Sequence, residues 1–208
     1  MQSIQDAVDG TAERTGFSGV VRVDRSGETE FASAYGFADR AYEVLNTVDT
    51  LFATASATKS LTALTVMALV ERGTLELGTT ARSLLGNDLP LVADDVTVEH
   101  LLAHRSGIGD YFDEHAFDDI CDYVLPVSVH ELAATEQFLP VLDGHETVSR
   151  AGERFAYNNG GYVVLALLAE RASSTDFHHL VRTLVTGPAG MVDTAFLRSD
   201  ELPGRAAR

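Results

Sequence analysis

The chain has 208 residues, of which 45% are hydrophobic, and its formal net charge at pH 7 is −16. This length and composition suffice to bury a sizeable core in one or two lobes, and the negative charge argues against nucleic acid and anionic membranes as partners. Cys121 is the single cysteine, which excludes an internal disulfide and a cysteine metal cluster.

The N-terminal part of the chain predicts a helix followed by two strands. Residues 1–8 have neither the basic nor the apolar stretch of a secretory signal, so we expect a cytoplasmic location. An amphipathic helix is expected over 4–14. Strands are expected over 17–24 and 30–35, joined by the turn-forming residues 25–28.

The next predicted element combines a serine with the single lysine of the chain. Ser56 and Lys59 stand at the start of residues 56–72, where apolar residues recur at helical intervals before Gly73, a common helix stop. The other fourteen basic residues are arginines, which keep their protons, whereas a partly buried lysine can give one up. Thr54 and Ser56 are both favourable N-cap types, so the helix should begin close to Ser56.

This spacing predicts a nucleophile and its base on one helical turn. Residues three apart lie on the same face of a helix, so the Lys59 amine can reach the Ser56 hydroxyl. The positive end of the helix dipole and the apolar neighbours both disfavour a charged amine. Unpaired N–H groups at the helix start can also help to hold an oxyanion when the hydroxyl attacks a carbonyl. Ser56 is therefore a candidate nucleophile and Lys59 a candidate base.

Residues 79–150 predict a largely helical lobe. A short helix is expected near 97–104, and the residues Ser128 and Glu131 form a capping-box pattern that would open another helix.

Three other groups of polar residues are weaker candidates for a site. Ser106 lies near His104, but the glycine two positions earlier that a nucleophile elbow needs is absent. The acidic run over 110–119 lacks regular ligand spacing and is interpreted as a solvated loop. His178 and His179 are adjacent helix positions that do not share a face, so they are interpreted as surface residues.

A tyrosine and an asparagine complete the predicted site. Tyr157 and Asn159 lie on a short connection between the strand-like residues 153–156 and an apolar helix predicted over 160–172. A phenol beside a cation can relay protons, and an amide offers donors and an acceptor to a substrate or to the lysine.

Five ordered segments resemble the serine β-lactamase and penicillin-binding-protein superfamily, in particular its class C and esterase-like branch. These segments are 52–61, 69–77, 96–108, 157–159 and 187–194. The resemblance implies acyl transfer through a covalent serine ester, with Ser56 as the nucleophile and with proton transfer shared by Lys59 and Tyr157. It also implies that Asn159 positions the substrate or the lysine, and that no metal or organic cofactor takes part.

The resemblance further implies an α+β (mixed α/β) fold of the β-lactamase/transpeptidase-like type, with an antiparallel sheet flanked by helices. The expected domains are a sheet-and-helix lobe, 1–78 with 151–208, and the mostly helical lobe 79–150. A third family motif, a Lys/His-Thr/Ser-Gly strand, does not occur after Asn159. We therefore expect a chain that lacks the C-terminal third, with an incomplete sheet and impaired catalysis.

These features predict a serine hydrolase that acts on a small ester, amide or β-lactam. Two alternatives stay open, namely a D-alanyl peptidase or penicillin-binding enzyme, and a catalytically impaired binding fragment. The sequence does not choose among these substrates and indicates no oligomeric state.

Overall fold

The computed structural model describes residues 3–113 and 119–208. Its contacts divide into two compact units. One unit comprises the described residues up to Ala55 together with Ser199–Arg208, and the other is Ser56–Arg198. These boundaries differ from the lobes predicted from the sequence, 1–78 with 151–208 and 79–150, which stay a prediction.

The first unit begins with a capped helix. Helix α1, Ile4–Thr15, starts at a capping box between Ser3 and Asp6 and ends at Gly16, whose φ of 63° lies in the left-handed region. The polar N-cap and the terminal glycine satisfy backbone groups that a short helix would leave unpaired. The helix predicted over 4–14 is confirmed.

Two antiparallel hairpins follow in the same unit. Strands β1 (Gly19–Arg25) and β2 (Glu28–Tyr35) pair along their lengths, with a register irregularity at Val23/Asp24. Ser26 and Gly27 connect them with φ values of 53° and 85°, as a two-residue hairpin turn requires. Strands β3 (Phe37–Asp39) and β4 (Val44–Leu45) form the second pair. The predicted strand pair is confirmed.

The second unit is built from helices and turns. Its α-helices are α2 (Thr58–Glu71), α3 (Ala81–Leu85), α4 (Val98–Leu102), α5 (Leu139–Leu142), α6 (Asn159–Ser173) and α7 (Phe177–Val181). A 3₁₀ turn, Ala55–Ala57, leads into α2, and further 3₁₀ turns are Ile120–Asp122, Val129–Glu131 and Thr135–Phe138. A π turn, Arg182–Thr186, follows α7. With the hairpins of the first unit, these elements make the predicted mixed α/β class correct.

Helix α6 is the centre of the second unit. Its sequence is apolar on most faces, which is typical of a helix surrounded by protein. Leu165 and Leu168 are fully buried and belong to one cluster with Val66 of α2 and Leu101 of α4. This packing holds the beginning of α2 and the beginning of α6 in a fixed arrangement, and both ends carry predicted site residues.

Two details of the predicted secondary structure are wrong. Residues 79–150 contain helices of only four or five residues where the structure describes them. Glycine and proline recur along this stretch and interrupt helical runs. In the described structure Ser128 makes no capping hydrogen bond, and a single 3₁₀ turn follows it.

The strand-like segment 153–156 is the second error. The structure describes all four residues and places no strand there. Instead, single hydrogen bonds join this part of the chain to the loop after α4, for example from the Gly152 amide to the Arg105 carbonyl, 2.8 Å, and from the Ala156 amide to the His104 carbonyl, 2.8 Å. A β pattern without a neighbouring strand has no ladder to join, so an irregular connection forms.

None of the helices within the described residues combines the length and the apolar character needed to cross a lipid bilayer.

Candidate active site

The N-terminal end of α2 brings Ser56 and Lys59 together. Ser56 is exposed in the 3₁₀ turn before α2, and Lys59 is half-buried in the first turn of the helix. The Lys59 Nζ atom lies 3.2 Å from the Ser56 Oγ atom. The helix begins two residues after Ser56, as expected, although the N-cap position belongs to Ala57 and not to Thr54 or Ser56. The Ser56 hydroxyl is therefore not engaged as the cap of α2.

Asn159 reaches the same amine from the start of α6. Its Oδ1 atom accepts a hydrogen bond from Lys59 Nζ at 2.8 Å, and its Nδ2 atom donates to the Phe112 carbonyl at 3.0 Å. Because a carbonyl can only accept, the bond to Phe112 fixes which end of the amide faces the lysine. Both ends of the Asn159 amide are thus committed to protein groups.

Tyr157 contacts the nucleophile from the connection before α6. Its phenol oxygen lies 2.8 Å from Ser56 Oγ, and its ring centroid lies 4.8 Å from Lys59 Nζ. The side chain is 43% exposed, so the phenol borders open solvent. Ser56, Lys59, Tyr157 and Asn159, which the sequence analysis singled out, therefore share one cluster of contacts.

The loop after α4 holds the Tyr157–Asn159 segment in place. Asp110 accepts backbone hydrogen bonds from Asn159, at 2.6 Å, and from Gly160, at 2.8 Å, so its carboxylate stands at the N-terminus of α6. A negative group at this position also suits the helix dipole. The Nδ1 atom of His104 accepts a hydrogen bond from the backbone amide of Asn158 at 3.1 Å.

Sequence reasoning missed the roles of His104 and Asp110. It considered His104 only as a partner for Ser106 and set that pairing aside, and it interpreted Asp110 as part of a solvated acidic loop. His104 nevertheless lies in segment 96–108, one of the five segments that resemble the family, and that resemblance was the available signal.

Burial is the main influence on the ionisation of His104. It lowers the pKa of the imidazole below its ordinary value of 6.5, the Lys59 ammonium lowers it further, and the Asp110 carboxylate opposes both effects. A half-buried imidazole beside a cation favours the neutral form.

The structure leaves the weaker candidates outside this cluster. Ser106 is buried, His178 stacks on Phe196 with ring centroids 4.3 Å apart, and His179 pairs with Arg182 at 2.9 Å. Part of the acidic run, 114–118, lies outside the described residues. Across 3–113 and 119–208, no three His, Cys, Asp or Glu side chains are grouped as a metal would need.

The cluster has the parts of a nucleophilic centre. A hydroxyl lies within hydrogen-bonding distance of both an amine and a phenol, and a fixed amide orients the amine. Such a hydroxyl can be deprotonated as it attacks a carbonyl. The first N–H groups of α2 lack intrahelical partners, and groups of this kind stabilise an oxyanion.

The chain is similar in sequence or structure to an esterase and to penicillin-binding proteins. Esterase EstB from Burkholderia gladioli is 33% identical over 204 residues, which cover 90% of this chain and 49% of EstB. Penicillin-binding protein 4* from Bacillus subtilis (strain 168) is 27% identical over 194 residues, which cover 92% of this chain and 40% of that protein. The crystal structure of a penicillin-binding protein from Bacillus halodurans superposes with a TM-score of 0.87 at 34% identity, over 96% of this chain and 60% of that one.

The chain thus spans between 40% and 60% of the length of these three proteins. A family model described as Beta-lactamase matches residues 4–208, which is nearly the whole chain. On the strength of that match and of the fold it shares with the penicillin-binding protein, the chain belongs to the Beta-lactamase family.

Proposed function

We propose that this chain carries the acylation centre of a serine hydrolase, with Ser56 as the nucleophile. The observation that supports this assignment best is the position of Ser56 Oγ, 3.2 Å from Lys59 Nζ and 2.8 Å from the Tyr157 phenol oxygen. Two groups able to exchange protons thus contact one exposed hydroxyl, which is what covalent acyl transfer requires.

Acylation begins when Ser56 Oγ attacks the carbonyl carbon of the substrate. The Oγ–carbon bond forms while the hydroxyl proton passes to the Tyr157–Lys59 pair, and the carbonyl oxygen becomes an oxyanion. Tyr157 and Ser56 are both hydroxyl groups, so the hydrogen bond between them can run in either direction. The bond to the leaving group then breaks as that group takes a proton from Tyr157, which leaves an ester on Ser56.

Lys59 shares one exchangeable proton with Tyr157, and the positive charge that it takes up with that proton lies beside the reacting oxygens. Its Nζ atom lies 4.8 Å from the centre of the Tyr157 ring, so an ammonium there stabilises negative charge that develops on the phenol during proton transfer. The start of α2 contributes N–H groups near the oxyanion, because the first turn of a helix leaves its amides without intrahelical partners.

Asn159 acts on the lysine in this proposal. Its amide nitrogen is occupied by the Phe112 carbonyl and its oxygen by Lys59. A substrate would have to displace one of these bonds to reach the amide, which supports lysine positioning over direct substrate binding.

Deacylation regenerates the serine. A water molecule gives a proton to the Tyr157–Lys59 pair and attacks the ester carbonyl, and the ester bond breaks as Ser56 Oγ recovers a proton. The products are a carboxylic acid and the free enzyme.

We propose a small ester, amide or β-lactam as the substrate. The name of EstB favours an ester, since that protein is 33% identical to this chain. A D-alanyl peptidase or penicillin-binding activity is the second candidate, favoured by the names of the relatives from Bacillus subtilis and Bacillus halodurans. A catalytically impaired binding fragment, the other alternative that the sequence analysis left open, is the third candidate.

Covalent labelling tests the proposal. Incubation with a fluorophosphonate or a labelled penicillin should add one adduct to the intact mass of the wild-type chain and none to Ser56→Ala. Ser60→Ala is a matched control, because Ser60 is an exposed serine in the first turn of α2, four residues after Ser56, and it should label like the wild type.

An unlabelled wild-type chain would support the impaired-fragment alternative and contradict the hydrolase assignment, as would equal labelling of Ser56→Ala. For a labelled chain, turnover of p-nitrophenyl butyrate, nitrocefin and a D-alanyl-D-alanine peptide then separates esterase, lactamase and peptidase.

A further inference from the structure

Four backbone hydrogen bonds join two distant segments of the second unit. The loop after α4 accepts them from amides on both sides of Tyr157. The donor and acceptor pairs are Ala156 N to His104 O, 2.8 Å, Asn158 N to His104 Nδ1, 3.1 Å, Asn159 N to Asp110 Oδ2, 2.6 Å, and Gly160 N to Asp110 Oδ1, 2.8 Å.

His104 makes two of these bonds, one on each side of Tyr157. Its carbonyl accepts the Ala156 amide, and its Nδ1 atom accepts the amide of the peptide that joins Tyr157 to Asn158. The backbone on both sides of Tyr157 is therefore tied to a single residue. His104 itself has a φ of 53°, in the left-handed region that few side chains adopt.

The His104 ring also packs on the tyrosine it anchors. Its centroid lies 4.5 Å from that of Tyr157 and 4.8 Å from that of Tyr162, with interplanar angles of 31° in both cases. Tyr162 is in turn held by a 3.0 Å hydrogen bond from its hydroxyl to the Leu102 carbonyl. The Tyr157 ring thus rests against a surface that is fixed from behind.

We propose that His104, in its neutral form, is a positioning residue that sets the Tyr157 phenol against Ser56. This inference rests on the proposed function, because it assigns a role within that reaction. His104 acts through Tyr157, whose oxygen is 2.8 Å from Ser56 Oγ. A misplacement of about 1 Å at such a group can cost about a hundredfold in rate.

The neutral form follows from the hydrogen bond. An imidazole nitrogen that accepts an N–H must carry a lone pair, so the ring proton is on Nε2. Protonation of Nδ1 would set two N–H groups against each other and release the Asn158 amide.

The charged and titratable groups around the His104 ring have opposite effects on its pKa. Lys59 and burial favour the neutral imidazole, and Asp110 favours the charged form. Of the two adjoining phenols, the pKa of Tyr162 is raised, mainly by burial, so that phenol stays neutral. Because the pKa of His104 is lowered from its ordinary 6.5, the wild-type rate should fall along an acid limb whose midpoint lies below pH 6.5.

Two substitutions test the hydrogen-bond acceptor of His104 and its ring separately. His104→Phe keeps an aromatic face for Tyr157 but removes the acceptor. His104→Asn keeps an acceptor, since its Oδ1 atom is as many bonds from the backbone as Nδ1, and asparagine tolerates a positive φ. Asparagine does not titrate, so it also removes the proposed pH response.

We expect His104→Phe to lower kcat for p-nitrophenyl butyrate by about a hundredfold with little change in KM. His104→Asn should recover at least about a tenfold part of that loss and should abolish or shift the acid limb of the pH–rate profile. His178→Asn is the matched control, since His178 is a half-buried histidine stacked on Phe196, and its pH–rate profile should match that of the wild type.

Wild-type kcat in a folded His104→Phe would overturn the inference, and so would an unchanged acid limb in His104→Asn. If Ser56→Ala retains full activity, the proposed function is wrong, but the contact itself can still be tested. The Asn158 amide resonance should then shift in His104→Phe and should follow the ionisation of His104 in the wild type. An amide resonance that does neither would refute the positioning role in either case.

Discussion

Removal of one oxygen atom from Tyr157 is the sharpest test of the proposed mechanism. Tyr157→Phe deletes the phenol oxygen that lies 2.8 Å from Ser56 Oγ. It keeps the ring, which contacts Lys59 Nζ at 4.8 Å and the His104 ring at 4.5 Å. The substitution therefore changes proton transfer and leaves the surrounding packing intact.

The expected loss of rate is much larger than the expected loss of stability. A positioned acid–base group contributes about 10²- to 10⁴-fold, which corresponds to about 2.7–5.4 kcal/mol of transition-state stabilisation. The Tyr157 side chain is 43% exposed, so the loss of one hydrogen bond at its tip should change the free energy of unfolding by about 1 kcal/mol or less. A large kinetic effect would then report chemistry and not misfolding.

The assay compares kcat/KM for p-nitrophenyl butyrate with urea unfolding followed by circular dichroism. Tyr162→Phe provides a matched comparison, because it deletes a phenol oxygen that bonds to the Leu102 carbonyl, and its kcat/KM should stay within about tenfold of the wild type. If Tyr157→Phe is folded and retains kcat/KM within about twofold of the wild type, the role of Tyr157 in proton transfer is refuted.

Three further predictions concern the amine, the core and an ion pair. Lys59→Arg keeps a positive charge, but a guanidinium does not give up its proton and cannot act as a base. The value of kcat/KM should therefore fall by at least about a hundredfold, and full activity would refute the base assignment. Leu168→Ala, at a fully buried position, should lower the free energy of unfolding by about 2–5 kcal/mol in urea, whereas Leu64→Ala, 55% exposed, should lower it by about 0.5 kcal/mol or less. The hydrogen bond from Arg171 lowers the pKa of Glu136 below its ordinary 4.5, so the stability that this pair contributes is present above pH 4.5 and lost as the pH falls further; Glu136→Gln should reduce that acid-induced loss, and an unchanged pH–stability curve would contradict it.

Local patterns in the sequence predicted the elements whose stability is local. Helix α1 has its cap and its terminal glycine within its own sequence, and the β1–β2 hairpin has a Ser-Gly turn between two strand-forming runs. The pairing of Ser56 with Lys59 is of the same kind, because residues three apart share a helix face.

The same reasoning failed where contacts come from far along the chain. Segment 153–156 resembles a strand, but no neighbouring strand pairs with it. The backbone hydrogen bonds of Gly152 and Ala156 go instead to the carbonyls of Arg105 and His104. The loop near 104–112 likewise has no periodic pattern in its sequence. Such a loop gives no indication that Asp110 accepts hydrogen bonds from the first amides of α6.

The sequence by itself determined the candidate chemistry, since Ser56, Lys59, Tyr157 and Asn159 were singled out by residue type, spacing and family resemblance. Only the tertiary structure decided how they meet. Lys59 and Asn159 are 100 positions apart, and their 2.8 Å contact exists because the buried faces of α2 and α6 pack in one core. Packing of this kind depends on the shapes of side chains from several helices at once, and a linear pattern of residues does not contain that information.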